Sequence, residues 1–235
     1  QVAVDTYPYA KKLDSLIHAA SPCAETIFYM TWGRKNGDAS NCAAYPPICT
    51  YEGMQQRLRE SYLEMSQDNH ATCAPAGVAW RTVRNNYPLI ELYNADESHP
   101  IANGTYLVAC TFYSTLYHKS CEGAGFISTG VLAADAANLQ KVASHTVLDS
   151  LENWQQHGDL PFSKYTFTNN QNQFTFSNQS LRSTQYEWNF GDGSALNTSS
   201  NPSHNYTATG TYFVTLKSMN ACGKYDMYKD TVQVT

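Results

Sequence analysis

An aspartate and a histidine stand three residues apart in the stretch Asp96-Glu97-Ser98-His99-Pro100. In a serine hydrolase, the histidine takes a proton from the serine hydroxyl, and the carboxylate fixes the histidine tautomer and stabilises the imidazolium that forms. Asp96 and His99 therefore have the residue types of half a catalytic triad. The alternative is a turn capped by Asp96, in which His99 has no chemical role.

Two further residues are candidates for substrate contacts. The apolar and aromatic run 25–32 predicts a strand, and Gly33 lets the chain turn directly after it. If this turn lies at the sheet edge that presents His99, then Trp32 and Arg34 line a substrate cleft. The alternatives are core packing for Trp32 and a solvated surface position for Arg34.

The elements that would position these residues alternate between helices and short strands. Helical spacing of apolar residues predicts helices over 9–18, 54–69, 78–86, 103–118 and 134–156, and apolar runs predict strands over 25–32, 71–76 and 89–93. This alternation is typical of a parallel sheet that helices cover on both faces. Because three strands are few for such a sheet, we expect further strands to precede Gln1.

A second domain is expected after residue 158. The helical period stops near Gly158-Asp159-Leu160-Pro161, and from Tyr165 onward short strand-like stretches are separated by Gly, Asn, Ser and Pro. Short strands at this spacing in about 75 residues predict a small β-sandwich. We therefore divide the chain into domains 1–158 and 159–235.

Composition and charge favour an extracellular protein and exclude some partners. Charged residues make up 15% of the chain, tyrosine occurs 17 times, and the net charge is -5. Without a clustered basic patch, nucleic acid is not an expected partner. No run of eighteen apolar residues predicts a membrane span. The histidines have no ligand spacing, so we expect neither a metal nor another cofactor.

Seven cysteines also favour an oxidising compartment. Cys42 and Cys49 flank a polar, proline-rich loop, so a disulfide that closes this loop is preferred over metal binding. Cys110 and Cys121 bracket a predicted helix and are a second candidate pair. The odd count leaves at least one free thiol or one partner outside the chain.

The second domain resembles a PKD (polycystic kidney disease) domain through three motifs in the family's order. They are Trp188-Asn189-Phe190-Gly191-Asp192-Gly193, Pro202-Ser203-His204-Asn205-Tyr206, and Gly210-Thr211-Tyr212-Phe213-Val214-Thr215-Leu216. The resemblance implies an immunoglobulin-like sandwich that serves as a spacer or glycan-adjacent module. Trp188 and Tyr206 are expected to anchor its core, while Gly191 and Gly193 supply turn conformations.

The first domain resembles the C-terminal part of an SGNH hydrolase, the flavodoxin-like esterase family also called GDSL. Asp96, His99 and Pro100 match the family's last block, and Ala102-Asn103-Gly104-Thr105-Tyr106 matches the helix start that follows it. The resemblance implies that His99 is the general base and Asp96 its orienting carboxylate. It also implies a flavodoxin-like α/β fold whose N-terminal part lies outside this chain.

The family's Gly-Asp-Ser nucleophile turn has no convincing match. Gly37-Asp38-Ala39-Ser40 comes near, but it has an inserted residue and follows the wrong strand. Asn36 is a low-ranking candidate for the family's oxyanion asparagine, although Asn36-Gly37-Asp38 also suits a turn. We expect the nucleophilic serine to lie outside this chain.

Short Asp-Ser/Thr-aliphatic motifs make Ser15, Ser150 and Thr231 candidates for the O-glycosylation found in Bacteroidota. The combination of SGNH-like and PKD modules is similar to secreted proteins of that phylum. The leading hypothesis is a secreted or surface esterase acting on acylated glycans, with an upstream fragment or neighbouring subunits as further partners. The alternatives are a non-catalytic surface or filament protein and a carbohydrate-binding protein.

Overall fold

The computed structural model describes residues 3–155 and 160–235, and the chain divides into two units, Gln1–Gly158 and Asp159–Thr235. In the described part of the first unit, helices surround a parallel pair of strands. The elements are α1 Ala3–Ala20, β1 Ile27–Tyr29, α2 Tyr51–Asp68, β2 Thr72–Ala74, α3 Ala76–Asn86, α4 Ala102–Tyr117 and α5 Ala133–Leu148. Short 3-10 turns cover Pro46–Cys49 and Leu151–Trp154.

Local chemistry explains where these elements begin. Thr50 caps α2, since its hydroxyl oxygen accepts a hydrogen bond from the Gly53 backbone N–H at 3.2 Å. Strands β1 and β2 pair in parallel with Ile27 opposite Thr72, and all three β2 residues are buried. The segment that directly follows β1 contains Trp32.

The core of the first unit lies between α3, α4 and α5. Its fully buried residues include Trp80, Val83, Leu107 and Leu139. Gly104 in α4 lets the helix approach Trp80, because a Cβ there would stand 2.5 Å from the indole ring. This close approach brings the start of α4 and the loop before it onto the Trp80 side chain.

The predicted strand over 89–93 is wrong: the described sheet of the first unit contains only β1 and β2. The backbone of this segment finds other partners. The Glu91 carboxylate accepts hydrogen bonds from the N–H groups of Leu92 and Tyr93, both at 2.9 Å. Tyr93 instead forms an isolated bridge with Pro100, which closes the loop that carries Asp96 and His99.

The second unit is a sandwich of two antiparallel sheets. Sheet order β3-β4-β6 faces sheet order β5-β7-β8 across a shared aromatic core. The strands are β3 Tyr165–Asn170, β4 Gln173–Asn178, β5 Gln185–Asn189, β6 Ser203–Asn205, β7 Gly210–Met219 and β8 Tyr225–Val234. Trp188 and Tyr206 are fully buried, as the motif predicts, and the Trp188 indole donates to Ser199 O at 2.9 Å.

The cysteines differ in their chemistry. Cys42 and Cys49 form a disulfide with a Cα–Cα distance of 4.7 Å. Cys110 and Cys121 are both buried thiols, so the structure does not contain the disulfide expected between them. The Cys121 thiol instead donates to Gln140 O at 3.4 Å. Across the described residues, no helix has the length and apolar character needed to cross a membrane.

Candidate active site: an exposed aspartate–histidine pair

The loop between Tyr93 and Pro100 is shaped by its own backbone. Asn94 N–H donates to His99 O at 2.7 Å, and Glu97 N–H donates to Asn94 O at 2.9 Å. Glu97 adopts the left-handed conformation with φ of 59°, which reverses the chain direction. The loop therefore returns His99 close to the point where the chain left Asn94.

Asp96 organises this loop through both carboxylate oxygens. Oδ1 accepts hydrogen bonds from the N–H groups of Ser98 at 3.0 Å and His99 at 2.9 Å. Oδ2 lies 2.6 Å from His99 Nδ1. These backbone donors, followed by the His99 side chain, lower the pKa of the Asp96 carboxyl to about 2.

The ionised carboxylate decides which nitrogen of His99 carries the proton. At neutral pH the Asp96 carboxylate can only accept hydrogen bonds, so Nδ1 of neutral His99 must be the donor. Nε2 is then the unprotonated, basic nitrogen. The His99 side chain is 77% exposed, and no described residue hydrogen-bonds to Nε2. The pair presents a general base to solvent.

Trp32 anchors the loop that carries His99. Its indole Nε1 donates to Ser98 O at 3.0 Å, which ties the residue directly before His99 to the segment after β1. The indole itself stacks on buried Trp80 with ring centroids 3.9 Å apart and an interplanar angle of 4°. Trp80 in turn packs edge-on against Tyr93. The structure thus gives Trp32 a positioning role for the His99 loop.

The segment after Trp32 is tied to the same loop through Glu97. Lys35 N–H donates to Glu97 O at 2.9 Å, and the Asn36 side-chain amide donates to Glu97 Oε2 at 2.9 Å. Arg34 is exposed. The strand-end turn and the aspartate–histidine loop therefore lie together, with Trp32 and Asn36 directed at the loop and Arg34 at the surface.

Ser40 sits in a turn that Asp38 stabilises. The Asp38 carboxylate accepts hydrogen bonds from the Ser40 N–H at 3.2 Å and from the Asn41 side chain at 2.8 Å. The Asn41 contact lowers the pKa of Asp38. The Gly-Asp-Ala-Ser stretch thus has a structural explanation as a capped turn.

Two supporting residues were not singled out from the sequence. Glu97 receives both contacts from the 35–36 segment, and Glu91 holds the backbone that enters the loop. Tyr93 adds a third tie, since its hydroxyl donates to Gly33 O at 2.7 Å. The residues around Asp96 signalled a capped turn, but the contacts from Asn36 to Glu97 and from Tyr93 to Gly33 span 61 and 60 residues and left no mark in local spacing.

The remaining candidate residues lie elsewhere on the surface. Ser15 on α1 and Thr231 on β8 are exposed, whereas Ser150 is partly buried at the start of the Leu151–Trp154 turn. No cluster of three or more His, Cys, Asp or Glu side chains suited to a metal ion occurs within 3–155 and 160–235.

The C-terminal unit is a PKD domain, because residues 163–235 match the family model of that domain. Two solved structures similar to this region come from vibrios. The PKD1 domain of Vibrio anguillarum Epp is 25% identical with a TM-score of 0.31, and the match covers 32% of this chain and 93% of that chain. For the PKD1 domain of the Vibrio cholerae metalloprotease PrtV, the values are 26%, 0.31, 32% and 96%.

The N-terminal unit shares its fold with a protein of the DUF4886 family from Bacteroides uniformis. The match is 18% identical with a TM-score of 0.52, and it covers 62% of this chain and 58% of that chain. The family description names no activity. The likeness therefore establishes the fold of the N-terminal part, while the SGNH resemblance remains a prediction.

Proposed function

We propose that this chain carries the acid–base half of an SGNH-type serine ester hydrolase that works outside the cell on acylated glycans. The observation that carries the proposal is the 2.6 Å contact between Asp96 Oδ2 and His99 Nδ1, with the imidazole 77% exposed. A buried histidine with both nitrogens occupied would serve packing. Here one nitrogen is oriented by a carboxylate and the other faces solvent.

The proposed chemistry is acyl transfer. His99 Nε2 takes the proton of a serine hydroxyl as the serine oxygen attacks the ester carbonyl, and the ionised Asp96 stabilises the imidazolium. His99 then gives that proton to the departing alcohol, leaving an acyl-serine. In the second half, His99 deprotonates water, which releases the acid and restores the serine. We expect the serine to come from sequence that precedes Gln1 or from a companion chain.

The substrate class follows from the compartment and from the PKD domain. PKD domains often bind carbohydrates or mediate protein contacts, and the Cys42–Cys49 disulfide suits an oxidising compartment. Exposed Arg34 on the turn that contacts the His99 loop is well placed to receive a polar substrate. An ester-linked acyl group on a glycan fits all three features.

Fluorophosphonate labelling tests the enzymatic proposal. The natural material should be purified with any sequence that precedes Gln1 and any chain that accompanies it, and its intact mass and N-terminal sequence determined. We expect one labelled serine in a Gly-Asp-Ser type turn, and labelling should fall sharply in His99→Ala. If the natural material stays unlabelled and has no serine near His99, the proposed esterase function is refuted.

The state of the histidine can be tested without the nucleophile. Carbethoxylation with diethyl pyrocarbonate attacks unprotonated, accessible imidazole nitrogens. We expect His99 to react at least about tenfold faster than His204, whose side chain is only 14% exposed. Equal rates in the folded chain would show that Nε2 of His99 is not an available base.

A non-catalytic assembly role is the second candidate, and α1 is the observation that favours it. Leu13 and Leu16 on this helix are 61% and 57% exposed, and Tyr9 is 66% exposed. A groove of about 410 Å³ lies between α1, β1 and α2. Sedimentation velocity would decide: concentration-dependent association that Leu13→Glu abolishes supports an assembly surface, and a monomer at all concentrations argues against it.

A further inference from the structure

A second pair of reactive groups lies in the first unit, along the C-terminal half of α4 and the loop that follows it. Cys110 stands in the middle of α4, and Cys121 follows the end of that helix. We propose that Cys110 and Cys121 are a redox-active pair, in which Cys121 attacks a small disulfide entering the pocket above it and Cys110 resolves the adduct. This proposal is independent of the esterase.

The two thiols line the same pocket, and both are largely shielded from solvent, at 6% exposure for Cys110 and 5% for Cys121. Cys121 Sγ lies 3.4 Å from Gln140 O and 3.3 Å from Ser144 Oγ. Cys121 is held in place by its backbone N–H, which donates to Ser144 Oγ at 3.0 Å. One cysteine is thus fixed in a helix and the other is held against α5, with both side chains on the wall of one pocket.

The surroundings favour Cys121 as the attacking thiolate. The neighbouring Cys110 thiol lowers the pKa of Cys121, although burial opposes this shift, and Ser144 Oγ at 3.3 Å adds to it. The Cys121 side chain in turn raises the pKa of Cys110. One thiol of the pair is thus ionised more easily, which is the asymmetry that an attacking and a resolving cysteine require.

A pocket gives reactants access to the pair. It encloses about 430 Å³, and its lining includes both cysteines together with Tyr106, Tyr113, Glu122 and Phe126. Phe126 is 78% exposed and Tyr113 is 41% exposed, so the rim of the pocket is at the surface. The size and apolar walls suit a low-molecular-weight disulfide or another compact electrophile.

The wall around the pair is fixed by one buried side chain. Gln140 accepts from the Gly123 N–H at 3.0 Å through Oε1 and donates from Nε2 to Tyr106 Oη at 2.8 Å. Tyr106 Oη in turn donates to Phe126 O at 2.8 Å. The loop over the cysteines is therefore held in place by hydrogen bonds that do not involve the thiols.

The reaction balances with a disulfide as the oxidant. The Cys121 thiolate attacks one sulfur of the reagent, breaks its S–S bond and expels one thiolate, leaving a mixed disulfide on Cys121. Cys110 then loses its proton and attacks Cys121 Sγ, which forms the Cys110–Cys121 bond and expels the second thiolate. Two cysteine thiols are oxidised, and one reagent disulfide is reduced to two thiols.

The test uses the folded full chain with Cys110 and Cys121 reduced, treated at pH 7 with bis(2-hydroxyethyl) disulfide. In the wild type we expect the loss of two hydrogens and a Cys110–Cys121 crosslinked peptide. In Cys110→Ser the adduct of one mercaptoethanol should accumulate on Cys121, and in Cys121→Ser neither Cys110 nor Cys73 should react. Equal adduct formation on Cys110 and Cys121 in the two variants would overturn the assigned roles.

Cys73 provides the matched internal control. It is also buried, and burial raises its pKa to about 12. Alkylation of the wild-type chain by iodoacetamide at pH 7 should modify Cys121 at least about tenfold faster than Cys73, and Ser144→Ala should reduce that ratio. A Cys121 rate equal to that of Cys73, measured in protein with an unchanged unfolding temperature, would refute the proposal without relying on any cysteine variant.

Discussion

Among the aspartate–histidine contacts of the described residues, Asp96–His99 in the first unit and Asp192–His204 in the PKD domain differ most in the solvent exposure of the histidine. In the first unit, Asp96 Oδ2 lies 2.6 Å from Nδ1 of a histidine that is 77% exposed. In the PKD domain, Asp192 Oδ2 lies 2.7 Å from Nε2 of His204, which is only 14% exposed. Nearly equal distances thus accompany opposite degrees of solvent access.

The environments explain the difference. The His204 ring stacks on Phe190 with centroids 4.1 Å apart and packs edge-on against buried Tyr206. Asp192 is tied down by Ser194 in the Gly191-Asp192-Gly193 turn. The histidine of the PKD domain therefore joins a turn to a strand. An aspartate–histidine contact becomes a candidate for catalysis only where the other imidazole nitrogen is left accessible.

The largest expected difference is between the effects of His99→Ala and His204→Ala on ester hydrolysis. In the natural material, His99→Ala should reduce hydrolysis of p-nitrophenyl acetate by about 1,000-fold or more, since it removes the proposed general base. His204→Ala should leave the rate per folded molecule within about twofold. If both substitutions reduced the rate alike after correction for folded protein, the proposed division between a reactive and a structural pair would fail.

The second expected effect concerns stability, where His204→Ala should have the larger effect and His99→Ala the smaller. His204→Ala removes a charge-assisted hydrogen bond and two ring contacts, so the PKD domain should lose about 1–3 kcal/mol of unfolding free energy. His99→Ala should cause no measurable loss, because the side chain is exposed. Urea unfolding of the full chain, followed by NMR at the indole N–H groups of Trp32 and Trp188, reports on the two units separately.

Lowering the pH should affect the two units to different extents, because each contains an aspartate with a lowered pKa. Hydrogen bonds from Ser194 and His204 overcome the opposing effect of burial and lower the pKa of Asp192 to about 2, and Asp96 has a pKa of about 2 as well. A carboxyl with a lowered folded pKa stabilises the fold above its usual value of 3.8, and that stabilisation is lost as pH falls towards 2.

Between pH 4 and pH 2, the urea midpoint of the PKD domain should therefore fall, and that of the first unit should fall less, because the Asp96 side chain is 47% exposed and that of Asp192 only 18%. Asp192→Asn should flatten the first change and Asp96→Asn the second. A pH-independent PKD midpoint in this window would mean that Asp192 does not stabilise the domain through its charge.

The smallest expected effect concerns the support of the exposed pair. Trp32→Phe retains an aromatic ring over Trp80 but removes the indole N–H that reaches Ser98 O. The proposed ester hydrolysis should lose about threefold in kcat with KM unchanged, since the loop is positioned less well. Trp154→Phe is the matched control, because its indole donates to Thr146 O in another part of the unit. A change in KM alone would instead place Trp32 in the substrate cleft.

The PKD domain could be predicted well because the residues of its motifs form the core and turn contacts themselves. Trp188 and Tyr206 were predicted to anchor the core, and both are fully buried. The helices of the first unit were also located to within a few residues in most cases, since each has an apolar face with helical spacing. Only the fifth predicted helix was too long, as α5 ends at Leu148.

The errors arose where side chains take over backbone hydrogen bonds. The run 89–93 is apolar and reads as a strand, but Glu91 binds the N–H groups that a strand would have offered to a neighbour. The tie from Trp32 to Ser98 spans 66 residues and cannot be detected from local spacing. The Asp96–His99 contact could be predicted because the two residues lie three positions apart in one turn, which Asp96 also caps by accepting from the N–H groups of Ser98 and His99.

That self-contained turn has a consequence for protein engineering. Asn94 to His99 fold back through hydrogen bonds among themselves, and the surrounding scaffold adds mainly one indole donor from Trp32 and two contacts to Glu97. A segment of this kind can be transferred to another protein scaffold. Grafted between two antiparallel chain ends spaced like Tyr93 and Pro100, it would carry an oriented, solvent-facing imidazole into a designed protein that lacks one.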